Sequence, residues 1–328
     1  MSFWTNRNVF VTGATGLLGS HLTEVLVALG ARVTVLVRDW VPDSRTVSSG
    51  ILQRCQVVRG ALEDHDTLLR ALNEYEIDSV FHLGAQTIVG TAARSAMSTF
   101  ESNIRGTWCL LEAVKQCAPR IERVIVASSD KAYGAHDTLP YTEDAPLQGR
   151  FPYDVSKSCT DLISFSYWHT YRVPVAVTRC GNLFGAGDLN FNRLIPGTIR
   201  SALLDERPVI RSDGTFVRDY FYVRDAVAAY LLLGERMPAD GITGEAFNFG
   251  TETPLTVMDV VNRVLAIMGK ASLLPVILGE ATHEIPAQYL DCSKARTRMD
   301  WSPGHSFDAG IEETVRWYEG WLAARRAR

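Results

Sequence analysis

Thr12-Gly13-Ala14-Thr15-Gly16-Leu17-Leu18-Gly19 stands between a short apolar run, Asn8-Val9-Phe10-Val11, and a helical stretch from His21 to Leu29 that stops at Gly30. The run reads as a β-strand, and a glycine just past a helix is a good stop signal. Glycines at this spacing let the backbone turn tightly and let a ligand approach the chain closely. The N–H groups that open the next helix have no intrahelical partner, and the helix dipole adds positive potential there. Isolated, such glycines mark only a tight turn. Between a strand and a helix they predict a cradle for the pyrophosphate of a dinucleotide, formed by Gly13, Thr15, Gly16, Leu17, Leu18 and Gly19.

The alternation continues downstream. Arg32–Val37, Cys55–Arg59, Ser79–Leu83, Arg123–Ser128 and Val173–Arg179 read as strands, several of them continuously apolar, as buried parallel strands are. Asp64–Glu74, Thr99–Gln116 and Ser156–Tyr171 read as the helices between them. Strands alternating with helices predict an α/β chain with a Rossmann-type, doubly wound parallel sheet. Past Arg179 the texture changes. Asn182–Asn192 is rich in Gly, Asn and Asp, and the helical stretches Thr256–Met268 and Asp308–Ala324 are separated by long irregular segments. Residues 1–180 are expected to form a dinucleotide-binding domain. Residues 181–328 are expected to form a smaller α/β substrate domain, some of whose segments return to the main sheet.

The chain has 328 residues, enough for about two domains. Lys and Arg total 33 against 37 Asp and Glu, a net charge of −4. That balance does not suit a coat for nucleic acid or an anionic membrane, so an anionic ligand must find local positive charge. No apolar run approaches the ~20 residues of a membrane span. The seven residues Met1–Arg7 before the first strand are expected to leave no room for a signal peptide. Cys55, Cys109, Cys117, Cys159, Cys180 and Cys292 are scattered without a C-x-x-C, which predicts reduced thiols in a cytoplasmic protein. His21, His65, His82, His136, His169, His283 and His305 show no metal-ligand spacing, so they read as structural or surface residues and no metal is expected.

The end of the second strand bears on the choice of dinucleotide. An acid there usually holds the ribose hydroxyls of NAD. Here the residues are Val37-Arg38-Asp39: valine cannot take that role, and Arg38 can pair with a 2′-phosphate. The expectation is NADP, with NAD left open by Asp39. His82-Leu83-Gly84-Ala85-Gln86 ends another strand in small residues. Leu83, Gly84 and Ala85, with Leu62, are expected to border the cofactor, and Gln86 to face substrate.

Tyr153-Asp154-Val155-Ser156-Lys157 is Y-x-x-x-K, which puts the tyrosine and lysine on one helix face. A neighbouring ammonium favours the phenolate, and each unit of lowered pKa corresponds to ~1.4 kcal/mol. Ser129 follows the apolar strand Val124-Ile125-Val126-Ala127, within reach of the same substrate oxygen. Alone, Y-x-x-x-K is common and usually a surface pair; with the glycine loop and a strand-end serine it becomes specific.

With Asn103-Ile104-Arg105-Gly106-Thr107, Arg179-Cys180-Gly181-Asn182-Leu183-Phe184-Gly185 and Arg218-Asp219-Tyr220 added, the chain resembles, over nearly its whole length, the extended short-chain dehydrogenase/reductase family of nucleotide-sugar epimerases and dehydratases. The resemblance implies a triad of Ser129, Tyr153 and Lys157, with Tyr153 and Lys157 also contacting cofactor. It implies Asn182 and Arg218 on the diphosphate of a nucleoside-diphosphate hexose, with Arg193 and Arg211 as further candidates, and Asn103 as an organiser of the fold. Within the family, an acid–base pair after the serine marks the dehydratases. Asp130-Lys131 looks like the CDP-glucose 4,6-dehydratases, whereas Val37-Arg38 looks more like the NADP-using GDP-mannose 4,6-dehydratases, so the nucleotide stays open.

The reaction so implied is oxidation at carbon 4, removal of the carbon 5 proton by Lys131 while Asp130 protonates the departing carbon 6 hydroxyl, and hydride return to carbon 6. Two alternatives remain: a 4-epimerase with the same triad, and a non-catalytic dinucleotide-sensing regulator, against which the intact triad argues. The helices Thr99–Gln116 and Ser156–Tyr171 carry extra apolar residues, among them Trp108, Leu110, Leu111, Phe165, Tyr167 and Trp168; core packing takes some of them, and the rest predict a homodimer through a four-helix interface.

Overall fold

The computed structural model describes residues 1–237, 239, 241–280 and 285–326. Strands β1 (Asn8–Thr12), β2 (Arg32–Val37), β3 (Gln56–Arg59), β4 (Ser79–His82), β5 (Arg123–Ala127), β6 (Val175–Cys180) and β7 (Ala246–Phe249) form one sheet in the order β7-β6-β5-β4-β1-β2-β3. Every neighbouring pair is parallel. This is the Rossmann arrangement. The chain runs outward from β1 through β2 to β3, then crosses back to β4 on the other side of β1, which opens a crevice between the carboxyl ends of β1 and β4.

Alternation along the strands explains their unbroken apolar character. Val9 and Val11 join one buried cluster while Phe10 joins another; Phe81 and Ile125 side with the first, Val80, Val124 and Val126 with the second. Helices cover both faces: α1 (Leu17–Ala28) and Val223–Arg236 on one, α2 (His65–Glu74) and α3 (Gly106–Gln116) on the other. A strand covered on both sides has no face left for polar residues.

Two helices differ from the reading of the sequence. Helix α1 begins at Leu17, four residues before His21, because its N-cap is Gly16 inside the glycine loop. The stretch expected as one helix over Thr99–Gln116 is broken into Ala96–Phe100, a π-turn at Glu101–Arg105, and α3. That wider turn carries Asn103, which is buried. Helix α4 (Pro152–Tyr171) starts with proline in its first turn, where the missing N–H has no helical partner to lose.

After β6 the chain forms a smaller sheet around Val217–Tyr222, with Asn182–Phe184 and Ala287–Gln288 parallel to it and Pro254–Thr256 antiparallel. Strand β7, from this later part of the chain, pairs with β6 at the edge of the main sheet. Helix Val257–Ile267 opens on a capping box of Thr256 and Asp259, and helix Phe307–Arg326 closes the described chain.

Candidate active site

The glycine loop is shaped by close approach. Gly13 has φ +74°, and a Cβ there would lie 2.7 Å from the Gly84 nitrogen; a Cβ on Gly19 would lie 2.1 Å from the Gly13 carbonyl oxygen. Neither position admits a side chain. Thr12 Oγ1 accepts from the backbone N–H groups of Leu83 (3.1 Å) and Gly84 (3.0 Å), which ties β1 to β4 across the crevice. Helix α1 has no side-chain cap and no acid in its first turn, so its opening N–H groups are available to an anion. Loop and helix end therefore fit a pyrophosphate. Leu62, also buried, packs under the crevice where a Cβ on Gly106 would come within 2.6 Å of it.

Having accepted two N–H groups, the Thr12 hydroxyl sends its own proton to His82 Nδ1, at 2.9 Å. The other ring nitrogen then carries the hydrogen and donates to Thr107 Oγ1 at 3.2 Å; Thr107 donates on to the Asn103 carbonyl at 2.6 Å. Burial, helped by Lys157, pushes His82 down to about 3, so the ring stays neutral as this chain of bonds requires. Asn103 in turn takes the Gln86 N–H (2.7 Å) and donates to the Gln86 carbonyl (3.0 Å) and to Ser156 Oγ (2.9 Å). The Gln86 side chain closes on its own loop, accepting from Ile88 N and donating to Ile88 O.

At the end of β2, Arg38 Nε pairs with Asp39 Oδ2 at 2.7 Å, both side chains well exposed. The guanidinium lies at the sheet edge with its neighbouring acid as counter-charge.

Ser129, Asp130 and Lys131 sit where β5 gives way to a single 3-10 turn, Asp130–Tyr133. The Ser129 hydroxyl donates to Asp130 Oδ1 at 2.9 Å and accepts from the Lys131 N–H at 3.2 Å. Asp130 is 1% exposed, and its Oδ2 is buried with no hydrogen-bond partner among the described residues. Burial raises its pKa, opposed by Lys131, the Ser129 hydrogen bond and Arg218. The pair is thus no solvated surface couple. Lys131 Nζ reaches Gln288 Oε1 at 2.5 Å.

Tyr153 and Lys157 lie on α4, with Lys157 Nζ 6.0 Å from the centre of the tyrosine ring. Lys157 is buried and donates to the Ala127 carbonyl at 2.8 Å; burial lowers it to about 8, against the pull of Asp161. The tyrosine shifts the other way. Burial pushes it up to about 12, with Arg193 and Ser129 pulling down and Asp130 and Asp154 pushing up. Lys157 Nζ is turned to the Ala127 carbonyl at the same time, and an oxidised nicotinamide, when bound, would add further positive charge beside the ring.

The triad residues, Asp130 and Lys131 are thereby brought together. Arg218, buried, donates to the Val217 and Pro286 carbonyls and bears on both Asp130 and Asp154. Arg193 pairs with Asp188 at 3.0 Å and bears on Tyr153. Arg211 is held by Asn192 Oδ1 at 2.8 Å, and Asn182 lies in register with Tyr220 on the small sheet.

A family model described as GDP-mannose 4,6 dehydratase matches residues 10–314. The chain belongs to that family. It is 31% identical to a CDP-glucose 4,6-dehydratase of Salmonella typhimurium, over 98% of this chain and 93% of that one. A dTDP-glucose 4,6-dehydratase from Streptomyces venezuelae, solved with NAD bound, superposes with a TM-score of 0.85 at 29% identity, covering 95% of this chain and 98% of that one. A UDP-glucose 4-epimerase from Thermotoga maritima, solved with UDP-glucose, reaches 0.87 at 26% identity, with 96% and 99% covered.

Reading the sequence missed three side chains near the centre. Asp161, one helical turn past Lys157, is fully buried between Arg179 (Oδ1 to Nε, 2.8 Å) and the Ser128 hydroxyl. The i+4 spacing from the lysine was the available signal. Asp154, inside the Y-x-x-x-K motif, is raised to about 6 by burial, with Lys131 pulling down and Asp130 pushing up. Gln288 carries no sequence signal at all. His21 and His82 are buried and His305 hydrogen-bonds Asp225, while His283 lies outside the described residues. Among the described residues no group of three or more His, Cys, Asp or Glu could hold a metal ion.

Proposed function

We propose that the protein is a nucleoside-diphosphate-hexose 4,6-dehydratase using NADP, with residues 1–180 holding the dinucleotide and residues 181–328 supplying most of the sugar-nucleotide site. The dinucleotide, when bound, would supply reversible hydride transfer between carbon 4 and carbon 6, which would leave the reaction redox-neutral. Tyr153 accepts the proton of the carbon 4 hydroxyl, with Ser129 hydrogen-bonding the same oxygen. Lys157 supports the phenolate and holds the nicotinamide ribose. The carbon 4 ketone acidifies carbon 5, whose proton Lys131 takes and, after exchange with solvent, gives back to carbon 5 once carbon 6 has been reduced. Asp130 gives its proton to the carbon 6 hydroxyl, which leaves as water. Asn182 and Arg218, with Arg193 and Arg211 beyond, hold the diphosphate.

The carrying observation is Asp130. A carboxyl that is 1% exposed, raised in pKa by burial and buried with one oxygen unmatched sits where the acid form is favoured, the form a donor to a leaving hydroxyl needs. A simple epimerisation uses neither this acid nor Lys131. The match in fold to a 4-epimerase keeps that reaction as the second reading.

Incubation with CDP-, GDP-, UDP- and dTDP-hexoses in heavy water separates the two readings. Dehydration removes one water and places solvent deuterium at carbon 5. A product of unchanged mass, inverted at carbon 4 and free of deuterium, refutes the dehydratase.

We further propose a cytoplasmic homodimer. Six free thiols suit a reducing compartment. Met97 (77% exposed), Trp108, Leu162 and Tyr171 leave apolar surface on the helices between Ala96 and Tyr171. Among the described residues no helix is long and apolar enough to cross a membrane.

A further inference from the structure

Gln288 lies on the two-residue strand Ala287–Gln288, opposite Arg218 in parallel register. It is fully buried. Its Oε1 accepts from Lys131 Nζ at 2.5 Å, joining residues 157 positions apart. Its Nε2 is buried and makes no close hydrogen bond among the described residues, facing only the Tyr141 phenol at longer range. A buried amide N–H left unmade is costly, and its persistence beside a reacting group points to a partner that arrives with the ligand.

Resting on the dehydratase reading, we propose that Gln288 is a positioning residue for Lys131: its carbonyl oxygen aims the ammonium, and its N–H, which makes no close bond in the fold, donates to an oxygen of the bound sugar nucleotide. One side chain then ties the base to the substrate from which it takes a proton. The neutrality of the amide matters. A base must shed its proton to act, and a carboxamide orients an amine without adding charge. A carboxylate at the same place would form an ion pair and hold the ammonium protonated. Among the described residues, charge around Lys131 is already mixed: Asp130 on its own turn, Asp154 on α4 and Arg218 on the small sheet, with the Tyr141 and Tyr153 phenols nearby. A further acid would shift that balance.

The test compares Gln288→Glu and Gln288→Met with the wild type in the full chain, using whichever of CDP-, GDP-, UDP- and dTDP-hexose the wild type dehydrates. The readouts are KM, kcat, deuterium entry at carbon 5 against pH, and dinucleotide binding. Gln288→Glu is expected to lose about tenfold in kcat at neutral pH and to move the rising limb of deuterium entry up by about one pH unit, with dinucleotide binding intact. Gln288→Met is expected to raise KM and lower kcat with the limb in place. A merely structural role lowers dinucleotide binding and activity together and leaves the limb where it was, which overturns the proposal. So does a Gln288→Glu enzyme with wild-type rate and limb. Should Gln288→Glu fail to fold, wild-type KM and kcat in Gln288→Met overturn it instead. If the wild type dehydrates none of the four sugars, the dehydratase reading falls and the Gln288 role with it; if it does and the variants behave as wild type, only the Gln288 role falls.

Discussion

The proposed preference for NADP rests on two adjacent residues of opposite charge, and their geometry gives a magnitude. Arg38 Nε and Asp39 Oδ2 are 2.7 Å apart with the side chains 63% and 65% exposed. An ion pair so wet is worth about 0–1 kcal/mol. A 2′-phosphate offers the guanidinium a charge-assisted, bidentate contact of about 1.5–3 kcal/mol. Phosphate therefore displaces Asp39 with about 0.5–3 kcal/mol to spare, a preference for NADP over NAD of about 2- to 150-fold. Arg38→Ala should erase that preference by weakening NADPH alone. Asp39→Ala should act in the opposite sense, removing both the competitor for Arg38 and a like charge beside the phosphate. Titration of NADPH and NADH against tryptophan fluorescence is a direct assay, since Trp40 is the next residue and half exposed. The preference should also shrink with added salt, because the contact is at the surface. Arg38→Ala weakening both dinucleotides equally, or neither, would end the NADP assignment. Loss of NADH binding in Asp39→Ala, with no NADPH preference in the wild type, would assign NAD.

Tyr153→Phe should abolish oxidation at carbon 4, whereas Asp130→Asn and Lys131→Met should permit it and stall elimination by about 10²–10⁴-fold, leaving reduced nicotinamide visible by absorbance in a single turnover; near-normal turnover in both would return these charges to a passive role. Arg218→Ala should raise KM sharply with dinucleotide binding intact, and an equal fall in dinucleotide binding would assign the arginine to the fold. Gly19→Ala drives a Cβ to within 2.1 Å of the Gly13 carbonyl oxygen, so it should cost dinucleotide binding and stability together; a variant binding as tightly as wild type would contradict the loop geometry. His82 has an ordinary value of 6.5 but sits at about 3 in the fold, so it stabilises fully above pH 6.5 and that stability, on the order of a few kcal/mol, is lost as pH falls toward 3. Urea midpoints of His82→Gln should decline less steeply below pH 6.5 than those of the wild type, and parallel declines would refute this.

The parts legible in the sequence were those written in local periodicity. Buried parallel strands announce themselves as apolar runs, and the glycine loop as a spacing that tolerates no side chain. Where the reading slipped, a tertiary demand overrode a local one. Leu17–Ser20 looked like loop because the glycines around them break helices, yet α1 starts there since Gly16 serves as its cap. The helix over Thr99–Gln116 looked uniform because nothing in its composition marks a π-turn; the turn is visible only through what it achieves, turning Asn103 inward between the Gln86 backbone and Ser156.

The site divides along the same line. Tyr153, Lys157, Ser129, Asp130 and Lys131 could be named because each lies beside a strand end or along one helix face, where position in sequence implies position in space. Their protonation could not be read that way. Tyr153 looked like a ready phenolate from its spacing to Lys157, but spacing carries no information on burial, and burial raises the phenol to about 12. Gln288 is the extreme case: its two-residue strand becomes part of the site only by pairing with Val217–Tyr222, which brings it to Lys131 from 157 positions away. Residues of this kind reach a site through the sheet and not through a motif. A motif search therefore recovers residues whose place follows from their local position and misses those, such as Gln288, that arrive through pairing on the small sheet.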